Sequence, residues 1–246
     1  MRETSATVDP EEIRRFAMQA EAWWDPEGSY RPLHRLNPAR LDFIRQHLVA
    51  HFGRNVCSLR PFEGLSLLDI GCGGGLIAEP MARLGFAVTG IDAEAHAIAV
   101  ARTHAEGTGL AIDYRVGTAE ALVDIGQRFD VVLALEVVEH VADPAIFLGC
   151  IGMLVKQGGA FIGATLNRTG RSFALAIIGA EYVLGWLPRG THDWRKFMRP
   201  SELVLSLRRN RLHATQLAGV SYQFARGEWS LSRDLEVNYM VMAVRR

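Results

Sequence analysis

From residue 66 onward, short apolar runs alternate with stretches of helical periodicity, and that alternation sets the expected architecture. Residues 66–70, SLLDI, read as a buried strand, followed by the turn GCGGG and a helix over 76–84. Residues 86–91 predict a second strand and 93–106 a second helix. Further strands are expected at 112–116, 129–135 and 160–165, with a helix over 144–155 between the last two. Strands interleaved with helices predict βαβ units, hence a parallel sheet covered on both faces. The C-terminal part predicts a helix at 200–209 and strands at 214–222 and 236–244. No helical pattern separates those two strands, so the last is expected to be antiparallel, a hairpin at the sheet edge.

Before residue 60 the pattern is helical. Asp9-Pro10-Glu11-Glu12 has an N-cap acid, a proline at the first helical position and acids in the first turn. Asn37-Pro38 is expected to open a second helix running to about residue 51. Trp23 and Trp24 between them suit either a lid or the core.

Composition narrows the class. A chain of 246 residues with 49% hydrophobic and 22% charged residues fits a globular protein with a sizeable core. Lys plus Arg and Asp plus Glu each number 27, so no net field steers the chain onto nucleic acid or an anionic surface. Three cysteines, Cys57, Cys72 and Cys150, without C-x-x-C spacing argue against a disulfide framework or zinc-cysteine site and suit a reducing compartment. The N-terminus lacks the apolar core of a secretory signal. A cytoplasmic protein is expected.

The loop LLDIGCGGG carries the first chemistry. Gly71, Gly73 and Gly75 allow positive φ and close approach to a ligand, and the following helix offers free N–H groups. A dinucleotide fingerprint counted from Gly71 requires Gly or Ala at position 76, which is Leu76; counted from Gly73 it starts two residues late. The pattern Asp69-x-Gly71-x-Gly73-x-Gly75 instead resembles motif I of the class I S-adenosylmethionine-dependent methyltransferases. Asp92, ending the second strand, can accept from both ribose hydroxyls, and GTAEAL at 117–122 falls where these enzymes contact adenine, beside Ala119 and Glu120.

Three further stretches resemble the ubiquinone-biosynthesis O-methyltransferases: WWDPEGSYRPLHRLNPARLDFI at 23–44, EVVEHV at 136–141, and TLNRTGRSFALAIIGAEYVLGWLPRGTHDWRKFMRP at 165–200. The resemblance implies a single α/β domain with a Rossmann-like, mostly parallel seven-stranded sheet and an antiparallel last strand. It divides into an N-terminal helical cap (1–60), a cofactor-binding half (61–166), an apolar insertion (167–199) and a C-terminal helix with edge strands (200–246). It implies that Arg40 reaches the methionyl carboxylate, that Gly71 lies under the methionyl part, and that Leu135 gives a backbone contact near the sulfonium. The implied substrates are polyprenylated catechols and demethylubiquinol, and a biosynthetic complex is a further expected partner.

Glu136, Glu139 and His140 follow the fourth strand. Continued into a helical turn, their i, i+3, i+4 spacing places them on one face. Two carboxylates and an imidazole there suit a divalent cation, with Mg²⁺ expected, that would lower the pKa of a phenol and aim its oxygen. Alternatively His140 acts as general base. The insertion at 172–190 has apolar residues beyond one helical stripe, Trp186 and Tyr182, and basic flanks. It suits a membrane interface, a lid or a dimer contact; the resemblance favours peripheral attachment to the inner face of a membrane.

Overall fold

The computed structural model describes residues 7–9, 23–28, 30–175, 193–223 and 227–246. The expected first helix, starting at Pro10 after the Asp9 cap, and most of the apolar insertion, 176–190, lie outside the described residues. The chain runs α1 (Arg31–His51), β1 (Ser66–Ile70), α2 (Ala78–Arg83), β2 (Ala87–Asp92), α3 (Ala95–Gly107), β3 (Asp113–Val116) and α4 (Ala119–Asp124). It continues with β4 (Phe129–Leu135), α5 (Pro144–Leu154), β5 (Val155–Leu166), α6 (Pro200–Arg209), β6 (Leu212–Gln223), β7 (Glu228–Ser232) and β8 (Asn238–Arg245). A single helical turn, Gly170–Ser172, and a 3₁₀ turn, Trp194–Lys196, lie between β5 and α6.

The strands form one sheet in the order β3-β2-β1-β4-β5-β8-β6-β7. β1, β2, β3, β4 and β5 pair in parallel, and β8, β6 and β7 continue the sheet antiparallel. Because strand side chains alternate between faces, each strand feeds two cores. Leu67, Val131, Leu133 and Ile162 pack with Phe43, Ile44 and Leu48 of α1 and with α2 and α3. Leu68, Ile70, Val132, Ala134 and Phe161 pack with α4, α5 and α6 on the other side. All the parallel strands therefore end at one edge, with β1 and β4 adjacent. The reversal of strand order between them is where α/β sheets bind ligands.

Three sequence expectations differ from the structure. The sheet has eight strands among the described residues rather than seven, because Glu228–Ser232 pairs with β6. The final strand is antiparallel as expected but lies inside the sheet, between β5 and β6. Its central run from Tyr239 to Ala243 is fully buried, and a strand apolar on both faces needs neighbours on both sides. The second helix also starts earlier, at Arg31 with Pro32 in its first turn, so Pro38 falls inside it. Asn37 is not a cap; its side chain accepts a hydrogen bond from Arg40 Nη1 at 3.3 Å.

Leu133 sits at the middle of β4 with no exposed surface. Leu133→Ala is expected to destabilise the fold by about 3 kcal/mol, the usual scale for a buried leucine replaced by alanine. Urea unfolding should show a lower midpoint at an unchanged slope.

Candidate active site

The glycine loop is built by backbone hydrogen bonds across strand ends. Gly71 N and Cys72 N both donate to Ile91 O, at 2.8 and 3.1 Å, which ties the start of the loop to β2. Gly73 N donates to Asp92 Oδ2 at 2.9 Å, and Glu94 N donates to Asp92 Oδ1 at the same distance. Asp92 thus holds the loop, and each of its carboxylate oxygens keeps further acceptor capacity.

Gly71 and Gly73 have φ of +69° and +50°. A Cβ on Gly71 would come within 2.6 Å of Val137, and one on Gly73 within 2.5 Å of the Trp23 ring. Conformation and space both require glycine here.

Trp23 and Trp24 are half-buried against the glycine loop and are not part of either core cluster. Trp23 lies against Gly73 and Gly74 and stacks on Tyr30 with ring centroids 3.7 Å apart. Trp24 Nε1 donates to Gly74 O at 2.9 Å, and its ring stacks on His104 at 3.4 Å. Thr7 adds an unforeseen contact, donating through both N (3.1 Å) and Oγ1 (2.6 Å) to Glu120 Oε1. Ala119, the first residue of α4, is buried beside it. No sequence motif signals Thr7; only the chain's path across the sheet edge brings it there.

Arg40 projects from α1 to the end of β4, where its Nη2 donates to Glu136 Oε1 at 2.7 Å. Arg40 is only 4% exposed. Asp69, near it, is buried at the end of β1, and its Oδ2 has no hydrogen-bond partner among the described residues. Burial, reinforced by the charge of Asp92 and partly offset by Arg40, pushes the Asp69 carboxyl up to about 7. A buried carboxylate oxygen without a donor costs free energy, which a cationic ligand group would recover. Trp23 Nε1 and Tyr30 Oη are likewise buried without partners among the described residues, so the loop's surroundings fit a polar, partly cationic molecule.

The Glu136–His140 segment departs from the expected helical face. Glu136 has φ of +55°, and residues 138–140 form a turn closed by His140 N donating to Val137 O at 2.9 Å. The i, i+3, i+4 rule belongs to helices, so it does not gather these side chains. Among the described residues no group of three or more His, Cys, Asp or Glu stands close enough to hold a metal ion. The three-ligand set is therefore not formed. What does form is a carboxylate pair. Glu139 is 2% exposed, with Oε2 accepting from Thr165 Oγ1 at 2.9 Å and its carboxyl hydrogen-bonded with that of Glu136. Burial first, and then the neighbouring Glu136 carboxylate, raise its pKa well above the ordinary glutamate value. Leu135, half-buried, ends β4 between this pair and the core, in register with Ala164.

A family described as a methyltransferase domain matches residues 68–163, which contain the glycine loop, Asp92 and the Glu136–His140 turn. Among solved structures, magnesium protoporphyrin IX methyltransferase from Synechocystis PCC 6803 with bound S-adenosylhomocysteine has a TM-score of 0.65 at 19% identity. The match covers 96% of this chain and 94% of that one, a likeness of fold. Fold, loop and acid pattern together define an S-adenosylmethionine-dependent methyltransferase. The sequence relatives are more particular. A ubiquinone biosynthesis O-methyltransferase of Paramagnetospirillum magneticum is 57% identical over 239 residues, 97% of this chain and 96% of its own. One of Cereibacter sphaeroides is 54% identical over 245 residues, 99% of both chains. The chain belongs to the ubiquinone biosynthesis O-methyltransferases.

The raised Asp69 pKa has a signed consequence. Its carboxyl ionises near 7 in the folded chain against 3.8 ordinarily, so the folded state holds the extra proton between those values. Stability contributed by this group falls as pH rises across that window, and above it the full cost of the buried charge, roughly 4 kcal/mol, is present. Asp69→Asn should raise the urea midpoint, more at pH 8 than at pH 5.5, while weakening S-adenosylhomocysteine binding. In the wild type, calorimetric affinity should decline below about pH 7, and the variant should lose that slope.

Proposed function

We propose that this enzyme transfers the methyl group of S-adenosylmethionine to a hydroxyl of polyprenylated catechol and demethylubiquinol intermediates. The observation that carries the reading is the pair of half-buried Glu136 and buried Glu139 at the carboxyl end of β4, beside Val137, which faces Gly71. Methyl donor and acidic acceptor groups would then share one edge of the sheet. The family names of the relatives supply the substrate class.

The cofactor contributes an electrophilic sulfonium methyl, and its transfer is an in-line displacement by a phenolic oxygen. The protein's residues divide the remaining work. Asp92 takes the ribose hydroxyls, and the Ala119–Glu120 turn lies beside the base. Arg40 offers a guanidinium to the carboxylate, and Asp69 its unpaired oxygen to the ammonium. A phenol with a pKa near 10 is mostly protonated at neutral pH, so its proton must be drawn away. A carboxylate whose pKa burial has raised is a stronger base than an exposed one, which suits Glu139, with Glu136 beside it. His140, at the end of the same turn, is the other candidate base.

Metal assistance is the finer part of the reading. The residues fit a cation only as a two-carboxylate pair, since His140 does not join them in a three-ligand group. When bound there, Mg²⁺ would stabilise the phenolate. Labelled methyl transfer to a short-chain prenylated catechol, with Mg²⁺ and with EDTA, separates the roles. Glu139→Gln is expected to lower kcat at least a hundredfold, the scale of a lost general base, with cofactor affinity kept within threefold. Turnover indifferent to EDTA and to Glu139→Gln, but abolished by His140→Ala, would transfer the base to His140.

Peripheral membrane attachment would suit a prenylated substrate. No helix among the described residues is long and apolar enough to cross a membrane. Support comes from Phe173 and Leu175, 44% and 50% exposed at the start of the apolar stretch, with Arg168 and Arg171 just before them. The wild type should co-float with anionic vesicles, and Phe173→Ser/Leu175→Ser should shift it toward the soluble fraction.

A further inference from the structure

The Arg40–Glu136 ion pair sits where two requirements meet. Arg40 is buried in α1, yet its Nη2 reaches 2.7 Å from Glu136 Oε1 on a different element, ninety-six residues away. Glu136 adopts φ of +55°, a conformation that costs a non-glycine residue about 1 kcal/mol or more. Its backbone N nevertheless donates to Ala164 O at 2.9 Å, so the strand end is held while the side chain is turned back to the guanidinium. Asn37 Oδ1 accepts from the neighbouring Nη1 and fixes the fork. The same guanidinium acts electrostatically on Asp69, whose buried Oδ2 has no hydrogen-bond partner among the described residues. A buried cation needs a counter-charge, and Glu136 provides one in the geometry a ligand carboxylate would take.

We propose that Glu136 is an internal stand-in for the methionyl carboxylate of the cofactor, exchanged for it on Arg40 when the cofactor binds. This rests on the reading that Arg40 receives that carboxylate. The consequence is an order of events. In this state Glu136 stands beside Glu139 while the ion pair ties it to Arg40 of α1. Once the cofactor carboxylate takes over Arg40, Glu136 keeps its place beside Glu139, on the side where the acceptor hydroxyl must lose its proton, without its counter-charge. Glu136 thus positions Arg40 for one substrate and is released from that pairing to serve the other, so the negative charge open to the acceptor rises when the cofactor is bound.

The test compares two probes by calorimetry: S-adenosylhomocysteine, and 5′-methylthioadenosine, which keeps the nucleoside and sulfur but lacks the carboxylate and ammonium. Glu136→Gln, which keeps shape and removes charge, is expected to tighten S-adenosylhomocysteine roughly tenfold, equivalent to about 1.4 kcal/mol of relieved competition. It should leave 5′-methylthioadenosine unchanged. Glu136→Ala should act in the same direction, so a packing effect of the glutamine does not decide the result. Arg40→Gln should weaken S-adenosylhomocysteine alone, and adding Glu136→Gln to it should give no further gain. Unchanged or weaker S-adenosylhomocysteine binding in both Glu136 variants would overturn the exchange, showing that Arg40 holds both carboxylates together. An equal gain for both probes would also overturn it. If instead Arg40→Gln binds S-adenosylhomocysteine like the wild type, the placement of the carboxylate on Arg40 fails, and the exchange fails with it.

Discussion

One buried guanidinium holds the site together. Arg40 is the only basic residue among the buried polar and charged side chains of the described residues, and it faces the ends of β1 and β4. Around it lie Asp69 and Glu136, with Asp92 and Glu139 next to them, all at the carboxyl edge of the sheet. Buried carboxylates repel one another and lose hydration, which is why Asp69 and Glu139 both bind protons more tightly than exposed acids. Leaving such an arrangement without its cation costs about 3–5 kcal/mol. The edge of the sheet is therefore stable in the form that an amino-acid-bearing cofactor can complete.

That electrostatic strain has a structural frame that does not bend. β1 and β4 are central strands, paired on both edges and packed on both faces, so Asp69 and Glu136 emerge from a rigid base. α1 is anchored by Phe43, Ile44 and Leu48 in the core beneath the same sheet, which fixes Arg40 three residues before Phe43. The cover over the loop is lighter. Trp23 and Trp24 hold the glycine loop through ring contacts and one hydrogen bond to Gly74 O, and Thr7 closes over Glu120. A hard base with a lightly pinned cover suits a site that must admit a large cofactor and then exclude water from a methyl transfer.

The membership in the ubiquinone biosynthesis O-methyltransferases changes the meaning of the acid pair more than that of the glycine loop. Many nucleotide-binding folds carry such a loop, and it says little about the acceptor. A glutamate pair in which buried Glu139 bonds Thr165 and half-buried Glu136 bonds the buried Arg40 is a particular arrangement, and it joins α1 to the end of β4 through one side chain, Glu136.

Much of this was legible in the sequence because it is local. Strand periods, the glycine spacing of 71, 73 and 75, and the acid at the end of β2 are each specified within a few residues, and the structure keeps them. The start of α1 is not legible locally, because Asn37-Pro38 looks like a helix opening, whereas packing of Leu36, Ala39 and Phe43 carries the helix through it. The position of β8 inside the sheet, and β7 beyond it, depend on which edges remain unpaired after the parallel strands assemble, a long-range matter. The same holds for Glu136, Glu139 and His140: their spacing fits one helical face, but the end of β4 turns the segment into a tight loop. Sequence by itself determined which residue types this enzyme carries and roughly where each strand ends. Only the tertiary structure decided which of those charges share a buried space, because pairing across ninety-six residues is set by the packing of α1 against the sheet and by no local pattern.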